Sequence, residues 1–170
     1  MSIPVDAFQW EKPSDLPAAT LFRHLGNWWM VTEPTDRDVP RLGLQLSGDG
    51  AGAILEIDDL PPALTIAPGY SWREATNNLP EDGGYYPGAI LIGRRGPCLC
   101  STWERSNRPQ VFTLLGLDVT DEHAADVQKM PTVCSWRADL VRSGKPDETI
   151  ATLFQVHAYA RPPLSAMMSE

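Results

Sequence analysis

The chain has 170 residues and a net charge of −8, from 14 basic and 22 acidic side chains. This length suits one domain with a full hydrophobic core, so we expect residues 1–170 to fold as one unit. The negative charge would repel a phosphate backbone, which excludes nucleic acid as an expected partner. The 16 prolines and 13 glycines indicate many turns between short elements.

The three cysteines indicate a reducing compartment. Their number is odd, and Cys98 and Cys100 are separated by one residue, which makes a poor disulfide framework. Residues 1–11 carry neither the basic region nor the apolar run of a secretory signal, and no stretch of 18 apolar residues follows. We therefore expect a cytoplasmic protein with no membrane segment.

The first elements in chain order are a predicted short helix and a predicted strand. Apolar side chains recur every three residues from Leu16 to Leu25, which predicts a helix over 14–25 that ends at Gly26. The following run of strand-favouring residues, Trp28 to Thr32, predicts a strand.

A hairpin and a long irregular segment come next. Residues 42–46 alternate apolar and small or polar, and the turn 47–50 leads into a returning strand over 53–57. From 58 to 88 the pattern breaks into turns, with short candidate strands at 64–66 and 70–72. Irregular stretches of this length in a compact domain are usually functional or packed by their own aromatic side chains.

Alternation resumes in the second half and predicts a three-stranded meander over 89–93, 98–104 and 110–115. Acidic residues then open a second predicted helix, from about 118 to 129, before a last hairpin that pairs 133–142 with 149–161. The fold class predicted is mainly β: an antiparallel barrel or strongly bent sheet of about eight strands with two short helices.

The segment Gly26-Asn27-Trp28 at the start of the first predicted strand resembles the calycin, or lipocalin-like, barrels, whose first strand begins with Gly-x-Trp. In that family a basic residue of the last strand stacks on the tryptophan, and Arg161 ends the last predicted strand here. The resemblance covers about ten residues, and the Thr-Asp-aromatic motif of many lipocalins is missing. It implies a barrel that encloses an apolar small molecule.

Signatures of catalysis, cofactors and metals are missing from the sequence. There is no Gly-x-Ser-x-Gly elbow, Walker loop or dinucleotide glycine cluster, so no cofactor is expected. Cys98 and Cys100 share one face of a predicted strand, and with Cys134 and His157 they could supply four zinc ligands. Cysteines at this spacing are more often small apolar fillers, so we expect no metal.

Candidate ligand-binding residues fall in two regions. The last predicted strand alternates polar with apolar side chains, so its polar row faces either solvent or a cavity. Aromatic residues in the irregular segment would form a cover over such a cavity, or a patch for a partner. The candidates are Tyr70, Trp72, Tyr86, Trp103, Gln155, His157 and Tyr159.

Two functional hypotheses follow. The first is a ligand-binding β-barrel for an apolar small molecule, which either holds its ligand or acts on it by shape as a cofactor-free cyclase or isomerase. The second is an acidic interaction module, such as an immunity or adaptor protein for a basic protein partner, because residues 1–60 hold 10 acids and 4 bases.

Overall fold

The computed structural model describes residues 3–33, 39–81, 86–93, 96–105, 108–119 and 130–158, without the side chains of 103–105, 108 and 109. These residues form 13 strands in three antiparallel sheets. Within them the helical elements are short 3-10 turns, including Val5–Ala7 and Pro13–Asp15. The prediction of a mainly β, antiparallel protein is confirmed.

The largest sheet contains six strands and is built from the first part of the chain. Its order is β1-β6-β2-β3-β4-β5. The strands are β1 (Phe8–Glu11), β2 (Leu21–His24), β3 (Asn27–Val31), β4 (Leu42–Gln45), β5 (Ile54–Glu56) and β6 (Ala63–Ile66). The predicted hairpin over 42–57 is confirmed by the pairing of β4 with β5.

Two smaller sheets follow. One has the order β10-β9-β8-β11, from β8 (Ile90–Gly93), β9 (Gly96–Arg105), β10 (Arg108–Thr113) and β11 (Thr132–Val133). The other has the order β13-β12-β7, from β7 (Tyr70–Ala75), β12 (Ser135–Arg142) and β13 (Lys145–His157). The predicted meander and last hairpin are confirmed by the pairings of β8, β9 and β10 and of β12 with β13.

All three sheets contribute to one main core. Its buried side chains come from the six-stranded sheet (Leu21, Met30, Leu44), the four-stranded sheet (Ile90, Leu99, Phe112) and the three-stranded sheet (Trp136, Ala138, Leu140). A second cluster contains the three cysteines, and a third covers the opposite face of the six-stranded sheet around Phe22 and Trp29. Both faces of that sheet are therefore covered.

The helix predicted over 14–25 is wrong. Residues 21–24 form β2, which hydrogen-bonds to β3 on one side and β6 on the other. Leu21 and its neighbour Phe22 are both fully buried, because they point into clusters on opposite faces of the sheet. The three-residue spacing is coincidental, since strand pairing on two sides outweighs a weak helical pattern.

The closed barrel is also not found. In the described part of the chain, the six-stranded sheet ends at β1 and β5, and neither strand pairs with the other sheets. The first and last strands of the predicted barrel, β3 and β13, pack through Trp28 and Phe154, whose ring centroids are 6.3 Å apart, instead of sharing hydrogen bonds. Three sheets enclosing a common core bury the apolar faces without closure.

Two predictions fall outside the described residues. The second helix was predicted over a segment of which residues 120–129 are not described. Arg161, which the calycin resemblance would place on Trp28, is not described either. The resemblance therefore stays a prediction.

Candidate functional site

The structure divides the candidate ligand-binding residues among separate places. Tyr70 and Trp72 line a large cleft, whereas Gln155 and His157 line a small one. Tyr86 packs against the cysteine cluster. The side chain of Trp103 and all of Tyr159 lie outside the described part of the structure.

The polar row of the last strand faces solvent. Gln155 and His157 are exposed, while Val156 is buried and Phe154 packs edge-on against Trp136. The apolar row of β13 therefore fills the interior, and the polar row lies on the outside. Among the described residues, Gln155 and His157 therefore do not line an internal cavity, which was one of the two alternatives that the sequence left open.

The large cleft has a volume of about 530 Å³ and is partly open to solvent. It lies between β1, the segment 16–21, the start of β7 and the turn after β10. Most of its lining is apolar or aromatic, including Leu16, Ile66, Trp72 and Leu115. This volume lies within the range of roughly 300–1,000 Å³ that is usual for small-molecule sites.

Trp72 holds one wall of the cleft in place. Its indole nitrogen donates a hydrogen bond of 2.8 Å to the carbonyl oxygen of Ala19. The backbone amide of Ala19 donates a second hydrogen bond of 2.8 Å to the carbonyl oxygen of Val31. Ala19 has a positive φ of 67°, an uncommon conformation for a residue other than glycine. The segment around Ala19 is therefore fixed between β3 and β7.

The turn after β10 forms the opposite rim and packs closely on the same segment. Gly116 has a φ of 81°, and a Cβ atom there would lie 2.8 Å from the Val31 carbonyl oxygen and 3.0 Å from the Ala19 amide nitrogen. Only glycine fits this approach. Leu115, the residue before Gly116, lines the rim and is 69% exposed.

The ionisable side chains of the cleft are acidic or phenolic. Glu11 and Glu74 line it together with Tyr70, and no lysine, arginine or histidine does so in the described part of the chain. Partial burial raises the pKa of Tyr70, and its hydrogen bond of 3.2 Å to the Asp6 carboxylate acts in the same direction. The charged side chains that line the cleft in the described part of the chain are therefore all acidic.

Tyr70 and Trp72 are strand residues and do not form a lid. The sequence predicted a cover over a cavity, but both residues lie on β7, which pairs along its length with β12. The sequence did not predict the cleft walls formed by residues 16–20 and 114–115, because it assigned the first segment to a helix and the second to the end of a strand. No local pattern brings these segments to Trp72, since the contacts join parts of the chain that are far apart in sequence.

The three cysteines pack as small apolar side chains. Cys98, Cys100 and Cys134 are free thiols with at most 2% exposure. Burial raises the pKa of Cys98, holds that of Cys100 well above its ordinary range, and raises that of Cys134 to about 11. Among the described residues no group of three or more His, Cys, Asp or Glu side chains is placed to hold a metal ion.

Comparisons with known proteins add no assignment. No family model, no curated protein and no solved structure matches this chain. In the described part of the chain, no helix has the length and apolar character needed to cross a membrane.

Proposed function

We propose that the protein binds a small, mainly apolar molecule in the cleft lined by Trp72. The cleft volume of about 530 Å³, with an aromatic wall and a largely apolar lining, is the observation that carries the proposal. Such a lining favours an apolar ligand because contact removes apolar surface from water.

The ligand expected from this lining is neutral or cationic. Glu11 and Glu74 are carboxylates at the cleft, and Trp72 and Tyr70 supply ring faces on which a cation is attracted. Trp72 is pre-positioned by its bond to Ala19, so little of the binding energy is lost in ordering this wall.

The proposal is limited to binding. A cyclase or isomerase that works by shape needs a site that excludes water around the folded substrate. This cleft is partly open to solvent.

The acidic interaction module has a weaker basis. Asp49, Glu56, Asp58 and Asp59 are exposed, as binding to a basic protein requires. Exposure of this kind is also what solubility requires, so it does not favour a partner over water.

The test is titration of the full chain with N-phenyl-1-naphthylamine, a neutral probe whose fluorescence rises in apolar surroundings. We expect saturation at one probe per chain. Leu115→Ser should weaken binding several-fold, because a ligand in the cleft would cover the exposed Leu115 side chain, and loss of that apolar contact costs about 1 kcal/mol. The matched control is Leu79→Ser, a leucine that is 86% exposed and does not line the cleft. Equal effects of the two substitutions, or no saturation, would overturn the proposal.

A further inference from the structure

The small cleft at the end of β7 and β12 has the opposite chemistry to the large one. Its volume is about 140 Å³, and it is lined by hydrogen-bonding side chains that include Arg137, His157 and Gln155. No carboxylate is among its described lining residues, although the whole chain carries a net charge of −8. The carboxylate that pairs with Arg137, Asp139, is fully buried and does not line the cleft, so the polar groups that face a ligand include a guanidinium and no carboxylate.

Arg137 is held with one edge of its guanidinium occupied and the other edge free. Its Nε donates to both carboxylate oxygens of Asp139, at 3.0 and 3.1 Å, and Asp139 is fully buried. Thr152 donates a further hydrogen bond of 2.9 Å to Asp139. In the described part of the structure the two terminal nitrogens of Arg137 have no acceptor, and its side chain is 33% exposed.

His157 and the neighbouring turn complete a set of donors. The Nδ1 atom of His157 lies 3.1 Å from the Ser135 hydroxyl oxygen. When Nδ1 accepts the hydroxyl hydrogen, Nε2 carries the ring hydrogen and is the nitrogen that donates to a ligand. The Thr76 hydroxyl donates a hydrogen bond of 2.8 Å to the Ser135 carbonyl oxygen. The same hydroxyl oxygen accepts a hydrogen bond of 3.0 Å from the backbone amide of Asn78. These bonds fix the turn that brings the Asn78 side chain to the cleft.

The size of the cleft limits the ligand to a small group. A water molecule takes about 30 Å³ in the liquid, so the cleft holds the equivalent of roughly four or five waters. A carboxylate or phosphoryl group fits this space, whereas drug-sized ligands occupy sites of roughly 300 Å³ or more. The terminal nitrogens of an arginine bind two oxygens of such a group at once.

We propose that this cleft binds a small oxyanion, a carboxylate or a phosphoryl group, through the terminal nitrogens of Arg137 and Nε2 of His157. Asp139 acts as a positioning residue, because it holds the guanidinium through Nε and leaves the terminal nitrogens of a cleft-lining arginine to a ligand. The site is independent of the proposed apolar cleft and shares no described lining residue with it.

The experiment is NMR titration of the full chain with inorganic phosphate and, separately, with acetate, at constant pH and ionic strength. We expect saturable shifts confined to the side chains of Arg137, Gln155, His157 and Asn78. A stronger response to phosphate assigns a phosphoryl group, and a stronger response to acetate assigns a carboxylate. Shifts that grow linearly with concentration for both anions would overturn the proposal.

The variant Arg137→Lys retains the charge beside Asp139 and removes the planar fork, so it should weaken binding by roughly tenfold. The matched control is Arg73→Lys, on the neighbouring strand, with the same 33% side-chain exposure and no contact with the cleft. His157→Gln is a second variant at an exposed position, which should weaken binding without loss of folding. Unchanged binding in both Arg137→Lys and His157→Gln contradicts the site.

Discussion

Asp139 lies on the side of β12 opposite to the main core, yet none of its surface is exposed. Its neighbours Ala138 and Leu140 point into the core, so Asp139 belongs to the polar row of the strand. A buried carboxylate is costly unless it is paired and hydrogen-bonded, and Arg137 and Thr152 supply both. This residue links the stability of the three-stranded sheet to the geometry of the proposed anion site.

The cysteines give the clearest prediction at the level of single residues. The thiolate is the reactive form, and burial raises the pKa of all three thiols. Ellman's reagent at pH 8 should therefore react with the native protein roughly 100-fold more slowly than with the protein in urea. A thiol that reacts in the native protein as fast as in urea would contradict the burial of the cluster.

The same shifts predict how stability depends on pH. The unfolded chain releases thiol protons near the ordinary pKa of about 8.5, while the folded chain keeps them to higher pH. The stability that comes from burying the protonated thiols is therefore fully present below about pH 8.5. It is lost as the pH rises towards about 11, the pKa of Cys134. Urea unfolding at pH 8 and pH 10 should show a lower free energy of unfolding at pH 10. A Cys134→Ala variant, which lacks one of the shifts, should show a smaller difference.

At the level of elements, the hairpin between β2 and β3 has an unfavourable turn residue. Leu25 and Gly26 both have positive φ, 49° and 82°, and Leu25 is 84% exposed. Two-residue hairpin turns of this kind favour Asn-Gly, because asparagine tolerates the left-handed region better than leucine. The backbone strain is therefore confined to this turn, and a single substitution at Leu25 relieves it.

Leu25→Asn should raise the free energy of unfolding by about 1 kcal/mol, since little buried surface is lost. The control is Leu79→Asn, a similarly exposed leucine without a positive φ, which should change stability by less than about 0.5 kcal/mol. Both are measured by urea unfolding. A destabilised Leu25→Asn protein would contradict the turn assignment.

The rim of the large cleft depends on the contact of Gly116 with the segment around Ala19. Gly116→Ala combines a left-handed backbone with an overpacked Cβ, whereas Gly69→Ala, at a φ of 90°, has no atom within 4 Å of the added Cβ. Gly116→Ala should cost about 1–3 kcal/mol more than Gly69→Ala, the usual cost of overpacking. Denaturation measures both costs, and equal values would show that the rim does not pack on this segment.

At the scale of the whole molecule, Trp28 joins the six-stranded sheet to the last strand. Its ring centroid lies 6.1 Å from that of Phe8 and 6.3 Å from that of Phe154, on which it stacks. Its backbone amide donates a hydrogen bond of 2.7 Å to the Ser47 hydroxyl. The sheets are therefore held together by apolar contacts, which takes the place of closure into a barrel. The two clefts border this core, which contributes Leu21 and Ile66 to the acidic and apolar cleft and Trp136 to the basic and polar one.

Trp28→Ala should lower the free energy of unfolding by roughly 3–5 kcal/mol, as for a buried tryptophan in general. Trp10→Ala is the matched control, because Trp10 lies on the edge strand β1 and is 74% exposed. Its loss should cost less than about 1 kcal/mol. Comparable losses in the two variants would contradict the central position of Trp28.

The amino-acid sequence by itself determined the hairpins, the meander and the antiparallel β class. Alternation in 42–46 and 110–115 and the turn residues 47–50 act over a few neighbouring residues, so these signals can be recognised without the fold. Tertiary structure decided β2, where strand pairing on both sides overrode a helical spacing, and it decided the number of sheets. It also placed the sites: Trp72 meets Ala19, and His157 meets Ser135, only because separate strands pair and pack. Contacts between distant parts of the chain leave no local pattern, so neither cleft could be derived from the sequence.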